Sequence, residues 1–190
     1  MRSLKLFLAT TLALAAPATA AEWQLNPEKS VITFTYFENE TAMEGVFPTF
    51  EGEAFYDPAW QNDAVVEVRV RTADVQMPDF VRTAYAKTPG WFHTQEFPEA
   101  ILEITALEPF EDGKIRAIGE LTLKGETFPM QPIFTLEQSG KCLRAQGDFE
   151  MALSDYGIGA GAVSRLIQVQ DRVVLSFDLT GHLAFAGPEC

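Results

Sequence analysis

Val65-Val66-Glu67-Val68-Arg69-Val70-Arg71-Thr72 alternates without a break. Successive side chains of an extended chain point to opposite faces, so Val66, Val68 and Val70 share one side and Glu67, Arg69 and Arg71 the other. That is a strand with one apolar face and one wet face. The same period recurs upstream, where Ile32, Phe34 and Tyr36 alternate with Thr33, Thr35 and Phe37 after Ser30, and again over residues 45–56. Downstream it returns over residues 100–107, 115–123, 128–137, 143–153 and 172–183, which makes eight runs. Asp112-Gly113, Lys124-Gly125 and Ser139-Gly140 separate runs by links too short for helical crossovers, so consecutive antiparallel strands are expected.

Eight antiparallel strands leave a sandwich or a closed barrel. Runs of 8 to 12 residues at 3.3 Å each reach roughly 25 to 40 Å, longer than the usual sandwich strand. Gly45, Gly52, Gly119, Gly147 and Gly181 lie inside strand patterns and permit the sharp coiling that closure needs. The expectation is an all-β, eight-stranded antiparallel barrel, just wide enough to be filled by its own side chains or to hold one small ligand. Between the third and fourth runs the period lengthens: Asp79, Phe80, Val81, Tyr85 and Ala86, with Pro78 before and Thr88-Pro89-Gly90 after, spell one short amphipathic helix. It is placed across a barrel opening, beside the aromatic cluster Trp91-Phe92 and Phe97-Pro98.

The 190 residues carry 14 basic and 27 acidic side chains, a net charge of −13, and 47% are hydrophobic. The apolar content excludes a disordered polyanion, and the acidity opposes binding to nucleic acid or anionic membranes. Residues 1–20 read as a Sec-type secretory signal peptide: Arg2 and Lys5, an apolar run over 6–16, then Ala18-Thr19-Ala20. Its removal takes the charge from −13 to −15 and leaves residues 21–190 as one domain in the periplasm of a Gram-negative bacterium. Cys142 and Cys190 then meet an oxidising compartment, as a disulfide or as two free thiols.

Catalytic and metal motifs are sparse. His93 and His182 lie some ninety residues apart with no Cys or paired carboxylate spaced near either, so no metal is expected. Ser154-Asp155 or Ser164 with His182 would need an assembled triad, and no Gly-x-Ser-x-Gly elbow is present. Gly157-Ile158-Gly159-Ala160-Gly161 lacks the strand-to-helix setting of a dinucleotide fingerprint and reads as a loop near a barrel rim. Glu51 and Glu53 share a wet face and read as solubilising charge. Arg82, within the helix near Tyr85 and Trp91, is a candidate to hold a polar or anionic head, or else a snorkelling surface side chain.

Trp23 with Ser30-Val31-Ile32-Thr33-Phe34, Gly45-Val46-Phe47 with Phe50-Glu51-Gly52, Trp91-Phe92 before Phe97-Pro98, Gly119-Glu120-Leu121-Thr122-Leu123-Lys124-Gly125 and Asp155-Tyr156-Gly157-Ile158-Gly159 stand in an order that resembles the YceI-like family of periplasmic polyisoprenoid-binding proteins. The resemblance implies a lipocalin-like barrel, closed partly by a helix and loops, with an apolar tunnel for a polyprenyl phosphate or a ubiquinone tail. A similar Gly-Ile-Gly loop in some relatives goes with a b-type membrane cytochrome, which makes such a cytochrome a candidate partner. Two features depart from the family. Many members carry His before the serine matching Ser30 and His at the end of the first strand, where this chain has Lys29 and Phe37-Glu38; the frequent Arg-Asp pair of the helix is Arg82-Thr83 here. The tail tunnel carries over and the head-group contacts do not.

By alternation the inward candidates for a ligand are Ile32, Phe34, Tyr36, Phe47, Val66, Val68, Val70, Leu102, Ile104, Leu121, Phe134, Phe149, Leu175 and Phe177, with Tyr85, Trp91 and Tyr156 nearer the rim. Each is equally a candidate for plain packed core. The expected function is a non-enzymatic carrier for an isoprenoid lipid, with no cofactor beyond that ligand, as a monomer or a homodimer. The rivals are an isoprenoid-modifying or redox enzyme and a solid-core module serving a membrane cytochrome.

Overall fold

The computed structural model describes residues 21–57, 64–187 and 190, and the signal peptide read at 1–20 lies outside them. The strands are β1 (Ala21–Leu25), β2 (Val31–Glu38), β3 (Thr41–Val46), β4 (Phe50–Tyr56), β5 (Val65–Val70), β6 (Ala100–Pro109), β7 (Ile115–Leu123), β8 (Glu126–Met130), β9 (Ile133–Ser139), β10 (Cys142–Met151) and β11 (Val169–Leu183). Two short helices, α1 (Phe80–Ala86) and α2 (Ala162–Leu166), fill the β5–β6 and β10–β11 connections. Hydrogen bonding runs β1-β4-β5-β6-β7-β9-β10-β11, and β11 pairs back to β1 through Trp23 opposite Leu183. That closes an eight-stranded antiparallel barrel, to which the β2–β3 hairpin and β8 are additions.

The eight runs of the sequence divide into more strands for physical reasons. Pro48 lies between β3 and β4, and Pro132 between β8 and β9; proline cannot donate to a ladder, so each ends one strand before the next begins. The carbonyl of Pro132 still accepts from the Ala117 N–H at 2.9 Å, which keeps that corner on the wall. β1 is only five residues long and carries little periodic signal. Pairing is also less consecutive than expected. β1 pairs with β4 and β11 instead of β2, and β3 pairs with β2 while β4 turns to β1 and β5.

The cause is β11, whose fifteen residues exceed any single neighbour. Its last residues pair with β1 and the rest of its length with β2, from Asp178 opposite Val31 to Val169 opposite Glu38. The joint between β1 and β2 is stitched to that shared strand, with the Asn26 N–H on the Thr180 carbonyl at 2.8 Å and the Thr180 N–H on Ser30 Oγ at 2.9 Å.

Strand parity fixes where the helices go. In an antiparallel ring the β5–β6 and β10–β11 connections leave the same end, so α1 and α2 cap one mouth together. The Asp79 side chain accepts the Arg82 N–H at 2.8 Å and starts α1. The expected amphipathic face needs correction: Tyr85 and Ala86 turn toward the barrel, while Phe80 and Val81 are 84% and 74% exposed. The glycine segment 157–161 leads into α2 with Gly157 and Gly161 at φ of +60° and +116°, a backbone open to glycine at little cost. Cys142 and Cys190 form a disulfide, Cα–Cα 5.6 Å, that ties the chain end to β10.

Candidate functional site

The barrel interior is hollow. A cavity of about 240 Å³ is lined from the capped end, where Trp91, Phe92, Leu153 and Ile158 contribute, to the layer around Trp23, Tyr56, Leu107 and Leu143. An apolar cavity of about 150 Å³ already suffices to hold a benzene-sized guest without water. Val66, Val70, Leu102, Leu175, Phe177 and Leu179 all line this space yet are only half-buried, because their free surface faces the hollow.

The lining is hydrocarbon. Gln24 and Glu53 border it, but both are exposed, beside Trp23 and Ala54 whose side chains point inward by alternation. The polar tips of lining aromatics are engaged by protein: Trp23 Nε1 donates to the Tyr56 carbonyl at 3.4 Å, Trp91 Nε1 to Ser164 Oγ at 3.2 Å, and Tyr36 OH to Glu38 Oε1 at 2.9 Å. Such a space favours a hydrocarbon chain over a polar molecule, whose groups would lose water and gain no partner.

Two cross-strand contacts show how aromatic side chains leave room. Phe34 on β2 faces Gly45 on β3, and a Cβ at Gly45 would fall 2.3 Å from Phe34 Cζ. Gly147 on β10 is flanked by Phe134 and Phe177, at 2.7 Å from Phe134 Cβ and 3.1 Å from Phe177 Cζ by the same construction. The rings occupy the space a side chain on the next strand would have taken.

Of the inward candidates, Ile32, Phe34, Tyr36, Phe47, Val66, Val68, Val70, Trp91, Leu102, Ile104, Leu121, Phe134, Phe149, Leu175 and Phe177 line the cavity. Arg82, Tyr85 and Tyr156 do not. Arg82, read as a head-group contact, is instead bound by the protein: Nε and Nη2 donate to Glu38, the latter at 2.7 Å, and Nη1 pairs with Asp79. Glu38 is nearly buried at the end of β2, and its hydrogen bond from Arg82 holds its carboxyl below the usual range against the opposing effect of burial. Burial, with Glu38 accepting its proton, pushes the Tyr36 hydroxyl well above its ordinary value. Arg82 thus latches α1 to the barrel wall.

Tyr85 OH lies 3.1 Å from Ser164 Oγ and its ring packs edge-on to Trp91, which joins α1 to α2. Tyr156 is buried against Phe128; its hydroxyl has no hydrogen-bond partner and burial pushes its pKa up to about 12. Lys124 Nζ donates to the Gly157 carbonyl at 2.5 Å, and burial lowers its pKa.

The alternation of β11 also supplies Val173 and Leu179 to the lining, a signal legible in the sequence and passed over there, as Trp23, Leu25 and Met151 were at strand ends. The hydrolase residues are not assembled. Ser154 is bound to Asp171, Ser164 is buried at the capped end, and His182 Nδ1 lies 3.1 Å from the Leu183 carbonyl, roughly 40 Å along β11 from Val169. Among the described residues no three His, Cys, Asp or Glu side chains group as a metal site, and no helix is long and apolar enough to cross a membrane.

Solved structures with this architecture include BcnA of Burkholderia cenocepacia, at a TM-score of 0.77 and 22% identity over 82% of this chain and 98% of that one. A polyisoprenoid binding domain from Saccharophagus degradans, implicated in plant cell wall breakdown, matches at a TM-score of 0.71 and 15% identity over 87% and 99%. In sequence, a UPF0312 protein of Shewanella baltica is 28% identical over 116 residues, 60% of this chain and 61% of the relative, so the match spans about three-fifths of that relative's length. A UPF0312 protein of Pseudomonas putida is 26% identical over 86% of this chain and 91% of its own length. The YceI-like domain model matches residues 23–181, from Trp23 on β1 to Gly181 on β11 and so all the way round the barrel: the chain belongs to the YceI-like family.

Proposed function

We propose that the protein is a periplasmic carrier or sequestering protein for an isoprenoid lipid, a polyprenyl phosphate or a quinone with an isoprenoid tail, and that it performs no chemistry on that ligand. The hollow carries the reading: about 240 Å³ lined by hydrocarbon, with its polar borders turned outward or engaged. Each methylene taken into it contributes about 0.8 kcal/mol before ordering costs, so a few isoprene units supply affinity without any head-group contact. The Saccharophagus degradans neighbour, described as a polyisoprenoid binding domain, supports the ligand class. The periplasmic assignment rests on the signal peptide read at residues 1–20.

Mass spectrometry of solvent extracts from natively purified protein tests it. An isoprenoid lipid in near-stoichiometric amount is expected. Protein that is consistently empty, and that also rejects added ubiquinone and polyprenyl phosphate, removes the proposal.

A further inference from the structure

Single exposed apolar side chains are ordinary on protein surfaces. Here three of the four most exposed large ones among the described residues fall on the two capping helices: Phe80 at 84%, Val81 at 74% and Leu166 at 80%. Phe80 and Ala84 lie four apart on α1, and exposed Val163 lies three from Leu166 on α2, so each helix carries an apolar outward face. The helices adjoin through Tyr85 and Ser164, and Gly90 approaches the segment before α2 so closely that a Cβ there would lie 2.6 Å from the Ala160 carbonyl oxygen.

The mouth as a whole is mixed in charge, with Glu40, Glu96 and Asp155 exposed around it, but the two helices are not. Neither helix contains an acidic residue; Lys87 follows α1, Arg165 lies in α2, and the neighbouring Asp79 is already paired with Arg82. The two helices thus present apolar side chains beside basic ones only. That is the composition of a helix surface that lies in a lipid interface, with Lys and Arg at phosphate level and apolar side chains below.

We propose that the capped mouth docks on a phospholipid bilayer through α1 and α2, with Phe80, Val81 and Leu166 entering the interface. This rests on the carrier reading, since the docked end is the one that Trp91, Phe92 and Ile158 close over the cavity, and a bilayer is the natural store of an isoprenoid lipid.

Co-flotation with phosphatidylcholine vesicles tests it. The full chain is expected to float with the vesicles. Phe80→Ser with Leu166→Ser should weaken partition by about a hundredfold, roughly tenfold for each buried apolar side chain withdrawn. The double variant should keep its melting temperature; should it melt early, Val81→Ser on the same face repeats the test and should lose about tenfold. Wild-type protein that stays below the vesicles, or variants that float as well as wild type, overturns the proposal. So does a homodimer in sedimentation that the double variant dissolves while vesicles recover no wild-type protein. Lipid extracted from the same samples reports on the cavity separately. Floating protein with empty cavities overturns the carrier reading and leaves docking intact, whereas loaded protein that never floats does the reverse.

Discussion

Ala145→Phe tests the hollow directly, because its sign differs between a hollow barrel and a solid one. Ala145 lies on β10 between Leu136 of β9 and Leu179 of β11, and it lines the cavity. In a packed interior a benzyl group there has nowhere to go, and overpacking costs about 1–3 kcal/mol. In a cavity of about 240 Å³ it gains apolar burial against little strain, and cavity filling of this kind contributes about 0.5–2 kcal/mol. For a domain of this size the gain corresponds to a rise in Tm of about 1–8 °C. The ring also takes space from a ligand chain. The comparison needs delipidated protein, since a bound ligand stabilises the wild type by mass action and would mask the gain. Calorimetry on delipidated samples should show the variant melting higher, while extraction from natively purified variant should recover far less lipid. A variant that melts lower and still carries full ligand would refute the placement of the cavity.

Phe34→Arg sets an unpaired cation among Phe47, Phe92 and Tyr36 at a position only 3% exposed; loss of folding, or of ligand binding, is expected, and an unaffected protein means the facing of β2 is misread. Arg82→Gln leaves Glu38 without its cation and should cost about 1–2 kcal/mol at pH 7, discounted from a fully buried pair because Arg82 is 37% exposed. Since the folded-state pKa of Glu38 is depressed, the ion pair stabilises above the ordinary carboxylate pKa and is lost as pH falls through the folded value, so the gap between wild type and variant should close in urea titrations below about pH 4; a gap that widens there contradicts the latch. Cys190→Ser opens a loop with a sequence separation of 48, for which chain entropy gives about 4 kcal/mol; denaturant melts that differ by less than 1 kcal/mol would show that the disulfide constrains little.

The strands were legible because alternation is a property of one chain segment at a time: Val66, Val68 and Val70 turn inward as their spacing says, and so do Ile32, Phe34 and Tyr36. Pairing was less legible, because whether β1 neighbours β2 or β4 depends on β11 being long enough to hold two partners on one edge. α1 was found by its period and its Asp79 cap, but the period cannot say which apolar residues face the barrel. Phe80 and Val81 point outward because Tyr85, Ala86 and the Arg82 latch to Glu38 set the roll of the helix. Glu38 stood out in the sequence only as a departure from the family, since an acidic side chain on the inward row of β2 reads as an exception until its partner, 44 residues later, is in place.

The cavity was the least legible feature, and the reason lies in how it is made. An inward row of Phe, Leu and Val reads the same whether the side chains meet in the middle or lie along the wall. The difference is decided across the ladder. Phe34 is opposite Gly45, Ile104 opposite Gly119, and Gly147 is flanked by Phe134 and Phe177, so bulky side chains rest over positions where the neighbouring strand has none. Each such pairing keeps a large group close to the wall that would otherwise reach the axis, while its ring or methyl covers backbone the glycine leaves bare. The glycines that read as aids to barrel curvature therefore also set the free volume. Room for a hydrocarbon tail is a property of paired strands, and it becomes visible only when the register is known.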